Sequence, residues 1–429
     1  MDSLQSLNRL VEHIPLPKMV ELRQTLPRPY LSDVPQALRE AVEHANVLDR
    51  IRPQAQVAIT AGSRGVANIA VIIREIAALV QKKGGYPFIV PAMGSHGGAT
   101  AKGQIEVLHS LGITEDFCGC PIRSSMETVQ LGTTDAHGFP VHVDALAHHA
   151  DATILVGRIK THPSFRGKVE SGLAKMAVIG LGNQTGASFC HQMGMKSMSQ
   201  NIQEISSQIF QRSNIIFGVG LIENAFDETA EIAVIPAEQI LEEEPRWLLR
   251  AKSYQPSLPF PKYDVLLVDE VGKNISGAGM DTDLISRYTN ADMPSNPKQQ
   301  VIAALNLTEA THGNAAGMGL IDLIPRHFFQ QIDFANTYPN LLTSRVLLSA
   351  KMPMVLEDDR TVIKAAINCC TNINPAKPRL IHLKNTLEIG RLMISEALIE
   401  QARALPNVTL VGEPQQMQFD CRGNLISPF

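Results

Sequence analysis

The pattern of apolar and polar positions sharpens at Gln56. The run Gln56-Val-Ala-Ile-Thr60 is β-rich, and Ala-Gly-Ser-Arg-Gly breaks it. Val66 to Lys83 then has helical spacing and stops at Gly84-Gly85, a good C-terminal signal. Tyr86 to Val90 reads as a second strand. Pro91-Ala-Met-Gly-Ser-His-Gly-Gly98 follows, and then a helix from about Thr100 to Leu111. Strand, glycine turn, helix and strand again is the order of a parallel α/β sheet. Ligands of such sheets sit over the carboxyl ends of the strands, which is where both glycine turns fall.

Further on, Val129 to Val143 predicts a hairpin around His137-Gly138, and Ala152 to Val156 a buried strand ending at Gly157-Arg-Ile-Lys-Thr-His162. Ile215 to Val219 and Glu231 to Ile235 read as strands, and Ala237 to Lys252 as a helix. The segment Tyr254-Gln-Pro-Ser-Leu-Pro-Phe-Pro261 is proline-rich and reads as a linker. A second α/β unit begins beyond it. Its expected parts are a strand Tyr263 to Asp269, a loop Val271 to Asp281, a strand Gln300 to Leu307 and a glycine-rich loop Thr311 to Gly319. Helices near Arg360–Cys370 and Ile389–Ala404 flank a strand near Arg379–Leu383. The first thirty or so residues are polar and proline-punctuated, and read as an irregular arm with one short helix. The expected architecture is two α/β domains with mainly parallel sheets, residues 1–255 and 262–429, with an active-site cleft between them.

Composition narrows the class. At 44% hydrophobic and 19% charged residues the chain is an ordinary globular one, not disordered or fibrous. Its 429 residues suit two or three domains. Lys plus Arg is 38 and Asp plus Glu is 42, a formal charge of −4, which argues against a dedicated nucleic-acid binder. No run reaches the roughly 18 apolar residues of a membrane span, and the N-terminus has no basic region followed by an apolar run. Neither membrane nor nucleic acid is therefore an expected partner. Cys118-x-Cys120, the adjacent Cys369 and Cys370, and the single Cys190 and Cys421 make neither a disulfide scaffold nor paired zinc spacing, so a cytoplasmic chain with reduced thiols is expected.

Three of the thirteen histidines stand out by position. His96 lies in Gly-Ser-His-Gly-Gly between a strand and a helix start, where its plainest role is a helix cap. His162 ends a strand, and His191 follows a glycine-rich passage. Two histidines at strand ends of one layer can face a substrate from opposite sides. Inversion of a stereocentre needs that arrangement, because a proton leaves one face and returns on the other.

Between His162 and His191 lies Phe165-Arg-Gly-Lys-Val-Glu-Ser-Gly-Leu-Ala-Lys175-Met-Ala-Val-Ile-Gly-Leu-Gly182. With Pro91-Ala-Met-Gly-Ser-His96 upstream, this resembles the nickel-pincer lactate racemase family of 2-hydroxyacid racemases and epimerases. That family carries a histidine, a Ser-Gly-x-x-Lys element and a second histidine sixteen residues after the lysine. Here Ser171-Gly-Leu-Ala-Lys175 supplies the element, and 191 − 175 = 16. The likeness covers roughly residues 50 to 200 well and the second domain loosely. It implies that Lys175 carries a pyridinium-3-thioamide-5-thiocarboxylic acid mononucleotide. The nucleotide would chelate nickel through ring carbon and two sulfurs, with His191 as the fourth ligand. His96 and His162 would be the two bases, each taking the hydroxyl proton of one enantiomer of a 2-hydroxyacid while hydride passes from C2 to the cofactor. Cofactor-making and nickel-inserting proteins are implied partners. The family's usual Asp-x-Thr-Arg-Pro loop stands here as Ala61-Gly-Ser-Arg-Gly65. His162 to Lys175 is about three residues longer than in the lactate enzymes, which leaves Lys168 as a rival to Lys175.

A mononucleotide brings a phosphate, and the turns at Gly62-Ser63 and Gly97-Gly98-Ala99-Thr100 open helices suited to an anion. Arg64 suits that phosphate or a substrate carboxylate, since a guanidinium binds either bidentately. In the second domain Lys273 and Asn274, on a glycine-rich loop after a strand, are candidate substrate contacts, and Thr311-His312-Gly-Asn314 is a second such loop. His137, His142, His148 and His149 are too irregularly spaced for an expected metal site. The glycine turns leave a nicotinamide-dinucleotide oxidoreductase as an alternative, although no clear G-x-G-x-x-G follows a strand. A non-catalytic small-anion binding protein of the same fold is the other.

Overall fold

The computed structural model describes residues 7–429 apart from 163, 164, 193, 291, 292, 294, 295 and 345. Its first strand is Lys18–Gln24 (β1), inside the stretch that reads as an irregular arm. Met19, Val20 and Leu22 of β1 are buried. The chain forms two compact units, Pro27–Gln255 and, joined to it in sequence at both ends, the chain up to Leu26 together with Pro256–Phe429. The start of the chain thus belongs with the second unit, not with an N-terminal domain of residues 1–255. Its apolar positions are completed by strands near the other terminus, a pairing that local pattern does not carry.

In chain order, the unit Pro27–Gln255 holds Gln56–Ala61 (β2), Tyr86–Pro91 (β3), a hairpin Thr128–Thr133 (β4) and Pro140–Asp144 (β5), Ala152–Arg158 (β6), Ile215–Glu223 (β7) and Thr229–Pro236 (β8). Five of these form a sheet in the order β3-β2-β6-β7-β8, parallel except for the β7–β8 pair. The central strands are apolar along their length because helices cover both faces. On one face Leu38, Val42, Ile72, Ile73 and Ile76 of helices Val34–Ala45 and Ile69–Lys82 pack with Val57, Ile59, Ile154 and Val219. On the other, Leu173 lies against Gly218 of β7, so closely that a β-carbon there would sit 2.7 Å from its Cδ1.

The other unit adds Val265–Val271 (β9), Val301–Leu307 (β10), Leu323–Pro325 (β11), Met354–Leu356 (β12), Leu380–Leu383 (β13), Arg391–Ser395 (β14) and Val408–Gln416 (β15). Its sheet runs β12-β11-β10-β9-β13-β14-β1-β15. The first five strands are parallel, and β14, β1 and β15 close the sheet antiparallel. The helix expected over Ile389–Ala404 is instead β14 followed by a short helix Ile399–Arg403. Leu392 and Ile394 alternate into the core with period two, and that alternation outweighs the helix-forming residues after it. Among the described residues no helix is long and apolar enough to cross a membrane.

Candidate active site

Strands β3, β2 and β6 lie side by side and parallel, so the loops leaving them emerge at one edge of the sheet. These loops carry Gly62–Arg64, Met93–Gly98 and Ile159–His162. A fourth segment, Leu173–Lys175, makes one helical turn and widens into a π-helix, Met176–Gly180, an irregularity common at functional sites. The Met176 side chain seats this turn on the sheet. A β-carbon on Gly62 would lie 3.2 Å from its Cε, one on Gly157 3.4 Å, and one on Gly180 2.6 Å from its Sδ. Glycines at the carboxyl ends of β2 and β6 make room for Met176, and Lys175 is held beside it.

The His96 loop docks on the same π-helix. Gly94 N donates to Gly180 O at 3.2 Å, and the fully buried Gln104 donates through Nε2 to Gly94 O at 3.1 Å. Gly94, Gly97 and Gly98 all have positive φ, the region glycine enters without strain. His96 itself is exposed, and its Nδ1 lies 2.8 Å from Met93 O. A carbonyl only accepts, so Nδ1 carries the proton and Nε2 is the basic nitrogen. Two residues expected at a cofactor phosphate have structural duties here. Thr100 accepts from Gly103 N at 3.1 Å as an N-cap, and Gly97 lies against the following helix, where a β-carbon would meet Gln104 N at 2.5 Å. Gly98 faces open space, Ser63 is partly buried, and Arg64 is exposed.

His162 is partly buried and stacks on Phe165 with ring centroids 4.2 Å apart. Its backbone N–H donates to Glu170 Oε2 at 2.9 Å, and its carbonyl accepts from Arg166. Burial, and then the charges of Lys175, His191, Arg166 and Lys160, push its pKa down to about 2. Near neutral pH the ring is therefore held neutral. Lys175 is partly buried, and burial together with the nearby Arg64 and Lys160 brings its amine down to about 8. His191 ends the helix Asn183–Gln192 with its ring solvent-accessible, yet the surrounding protein and the Lys175 charge still lower its pKa. The structure thus brings Lys175, His162 and His191 into one electrostatic cluster with Arg64, and places His96 on the neighbouring strand end. Lys168, the rival lysine, is exposed.

Sequence reasoning missed four groups that shape the cluster. Lys160 and Arg166 supply charge. Glu170 is fully buried, between the His162 amide, Arg166 (3.3 Å) and Lys252 (2.8 Å). Glu244 is also buried and accepts from Ala174 N at 2.9 Å. Glu170 had a signal, an acid inside an otherwise apolar and glycine-rich passage, where a buried carboxylate needs partners. Glu244 had none, since it looks like one of three consecutive surface glutamates.

Lys273 and Asn274 lie in the other unit, after β9. Lys273 N donates to Thr311 Oγ1 at 3.1 Å, and Asn274 Oδ1 accepts from Thr308 at 2.5 Å, which ties the two glycine-rich loops together. The hairpin histidines have separate partners. His137 pairs with Glu204 at 2.6 Å, His142 stacks on Phe189, and His149 bonds Ala145 O. Among the described residues no three His, Cys, Asp or Glu side chains gather as a metal-ion site. The expected nickel centre asks this chain for one such ligand, His191.

Residues 19–203 match the family model of the lactate racemase N-terminal domain. Two solved structures are similar to this chain over part of its length. One is a Thermotoga maritima protein at 15% identity and TM-score 0.46, covering 64% of this chain and 72% of that one. The other is the lactate racemase apoprotein of Thermoanaerobacterium thermosaccharolyticum at 10% identity and TM-score 0.48, covering 79% and 97%. No curated protein matches.

Proposed function

We propose, from the match of residues 19–203 to the lactate racemase N-terminal domain, that the protein inverts the C2 centre of a 2-hydroxyacid using a nickel-pincer nucleotide. The observation that carries this reading is the cluster of Lys175, His162 and His191 at the carboxyl edge of β2 and β6. Its chemistry fits the group. Joining a nucleotide to Lys175 needs a neutral amine, and an amine brought down to about 8 supplies a useful neutral fraction near neutral pH. Binding nickel through His191 needs a neutral imidazole, and burial, ahead of the Lys175 charge, favours that form. Lys175 would hold the nucleotide, His191 the metal, and Arg64 with the amides near Gly62, Ser63, Gly97 and Gly98 the phosphate; Thr100, engaged as a cap, would act through its backbone. When bound, the nucleotide supplies the hydride acceptor.

The rest is the work of the chain. His96, with Nε2 basic, and His162, kept neutral, each receive the hydroxyl proton of one enantiomer and return it to the other. Burial makes His162 a weak base, and the Lys175 charge weakens it further. Acylation of Lys175 removes that charge, and a substrate carboxylate adds an opposite one, so both raise the imidazole toward a useful value. Arg64 is the proposed carboxylate contact. The test is chiral analysis of a 2-hydroxyacid panel with protein co-produced with cofactor-making and nickel-inserting proteins, alongside intact-mass measurement. Inversion together with an adduct on Lys175 supports the reading; an unmodified lysine and no inversion overturn it. The cations around Lys175 favour a second reading, non-catalytic binding of small anions. Turnover unaffected by either His96→Ala or His162→Ala would favour it.

A further inference from the structure

Glu244 lies in the helix Ile240–Ser253, far along the chain from the Ser171-Gly172-Leu-Ala-Lys175 element, yet its carboxyl group is packed into the opening of that element. Glu244 is 1% exposed. Its Oε2 accepts from Ala174 N, and its Oε1 has no hydrogen-bond partner among the described residues. The space it fills is the one a side chain at residue 172 would take. A β-carbon on Gly172 would stand 2.5, 2.6 and 2.9 Å from the three atoms of the Glu244 carboxyl group. Gly172 has φ 173° and ψ −158°, extended backbone open to any residue. The glycine is thus required by the room Glu244 needs and not by its own conformation.

The same helix makes a second contact with the site. Lys252, two turns on, pairs with Glu170 at 2.8 Å, and Glu170 holds the His162 amide at 2.9 Å. One helix therefore fastens both the Lys175 turn and the His162 loop. Among the described residues no ion pair joins Glu244 to the Lys175 amine. Burial raises the Glu244 carboxyl to about 7, so it holds backbone N–H groups without drawing Lys175 into a salt bridge.

We propose that Glu244 and Gly172 act as one positioning unit for Lys175, with the glutamate carboxyl clamping the first turn and the glycine admitting it. The proposal concerns the reactive amine of Lys175, and it builds on the reading of that lysine as the cofactor tether.

The test is competitive acetylation of the full unloaded chain at neutral pH, with Lys175 labelling measured by peptide mass spectrometry relative to the exposed Lys168. Thermal unfolding of each variant is followed in parallel. Glu244→Ala is expected to lower the Lys175 to Lys168 ratio about tenfold, as a loosened turn lets the amine move toward its ordinary pKa by about one unit. Glu244→Gln, which keeps an acceptor oxygen for Ala174 N, is expected to restore the ratio. Gly172→Ala should reproduce Glu244→Ala, and the double variant should be no worse than either alone. Should Glu244→Ala not fold, Glu244→Gln and Gly172→Ala decide the matter between them. A wild-type ratio in folded Gly172→Ala or Glu244→Ala overturns the proposal and leaves the inversion reading intact. Wild-type protein that never acquires a nucleotide adduct overturns that reading and leaves this one standing.

Discussion

Burial lowers the pKa of Lys175, His162 and His191; the Lys175 charge adds to the shift of both histidines, and Arg64 and Lys160 add to that of Lys175. Replacing Lys175 with methionine is expected to raise the His162 pKa, because the second-largest cause of its depression is removed while burial remains. Imidazole NMR titration checks this, and an unmoved resonance would count against the cluster. Arg64→Met is expected to raise the Lys175 amine for the same reason and to slow its acylation. The residues at the centre of these effects were legible in the sequence. His96 and His162 follow strand ends, and Lys175 and His191 lie in helical segments within and after a glycine-rich passage. Glu244 was not legible, because its importance lies in a contact between segments that no local pattern joins. Thr100 and Gly97 were legible as special positions, but their local signal served a helix cap and a close packing contact as well as it served a phosphate.

At the scale of elements, the turn between β3 and the helix Ala101–Ser110 is held by packing that can be measured. Gly97→Ala puts a β-carbon 2.5 Å from Gln104 N at a positive φ, and is expected to cost about 1–3 kcal/mol. Gly98→Ala has the same sign of φ but open space around it, and is expected to cost less, about 1 kcal/mol from the left-handed backbone alone. Chemical denaturation of the two variants checks the order; equal losses would mean that close approach is not what Gly97 provides. The strand-turn-helix order from Gln56 to Leu111 was readable because hydrophobic period and glycine punctuation agree there. It failed at Arg391–Ser395, where five residues of period two are followed at once by helix formers, and at Lys18–Gln24, where proline on both sides masks a strand.

For the whole molecule, acidity and chain topology give two further expectations. The Glu244 carboxyl is raised to about 7 in the folded protein against an ordinary 4.5, so between these values the native state holds a proton that the unfolded state lacks. That contribution is fully present below the unfolded value and is lost as pH rises through about 7. This net shift corresponds to on the order of 3 kcal/mol across that window. Stability of wild type relative to Glu244→Gln is therefore expected to fall as pH rises toward 7 in denaturant titrations, and a constant difference would contradict it. His162 has the opposite sign. Its folded pKa lies below its unfolded one, so stability is lost as pH drops below the ordinary histidine value. The second expectation concerns β1, which lies between β14 and β15 in the eight-stranded sheet. Residues 27–255 have their own apolar core and are expected to unfold cooperatively when produced alone. Residues 256–429 without β1 leave β15 without a partner and one edge of β14 open, and are expected to lose cooperative unfolding, as followed by circular dichroism.

What the amino-acid order determined by itself was the α/β grammar, the glycine turns at strand ends and the ordered set of one lysine and three histidines. Each of these depends on residues close together in the chain. Only the tertiary structure decided that β1 completes the distant sheet, that Met176 seats the lysine turn against Gly62 and Gly157, and that Glu244 fills the space left by Gly172. These depend on side chains meeting across long separations, and burial and steric fit act through space, whereas sequence pattern reports only along the backbone.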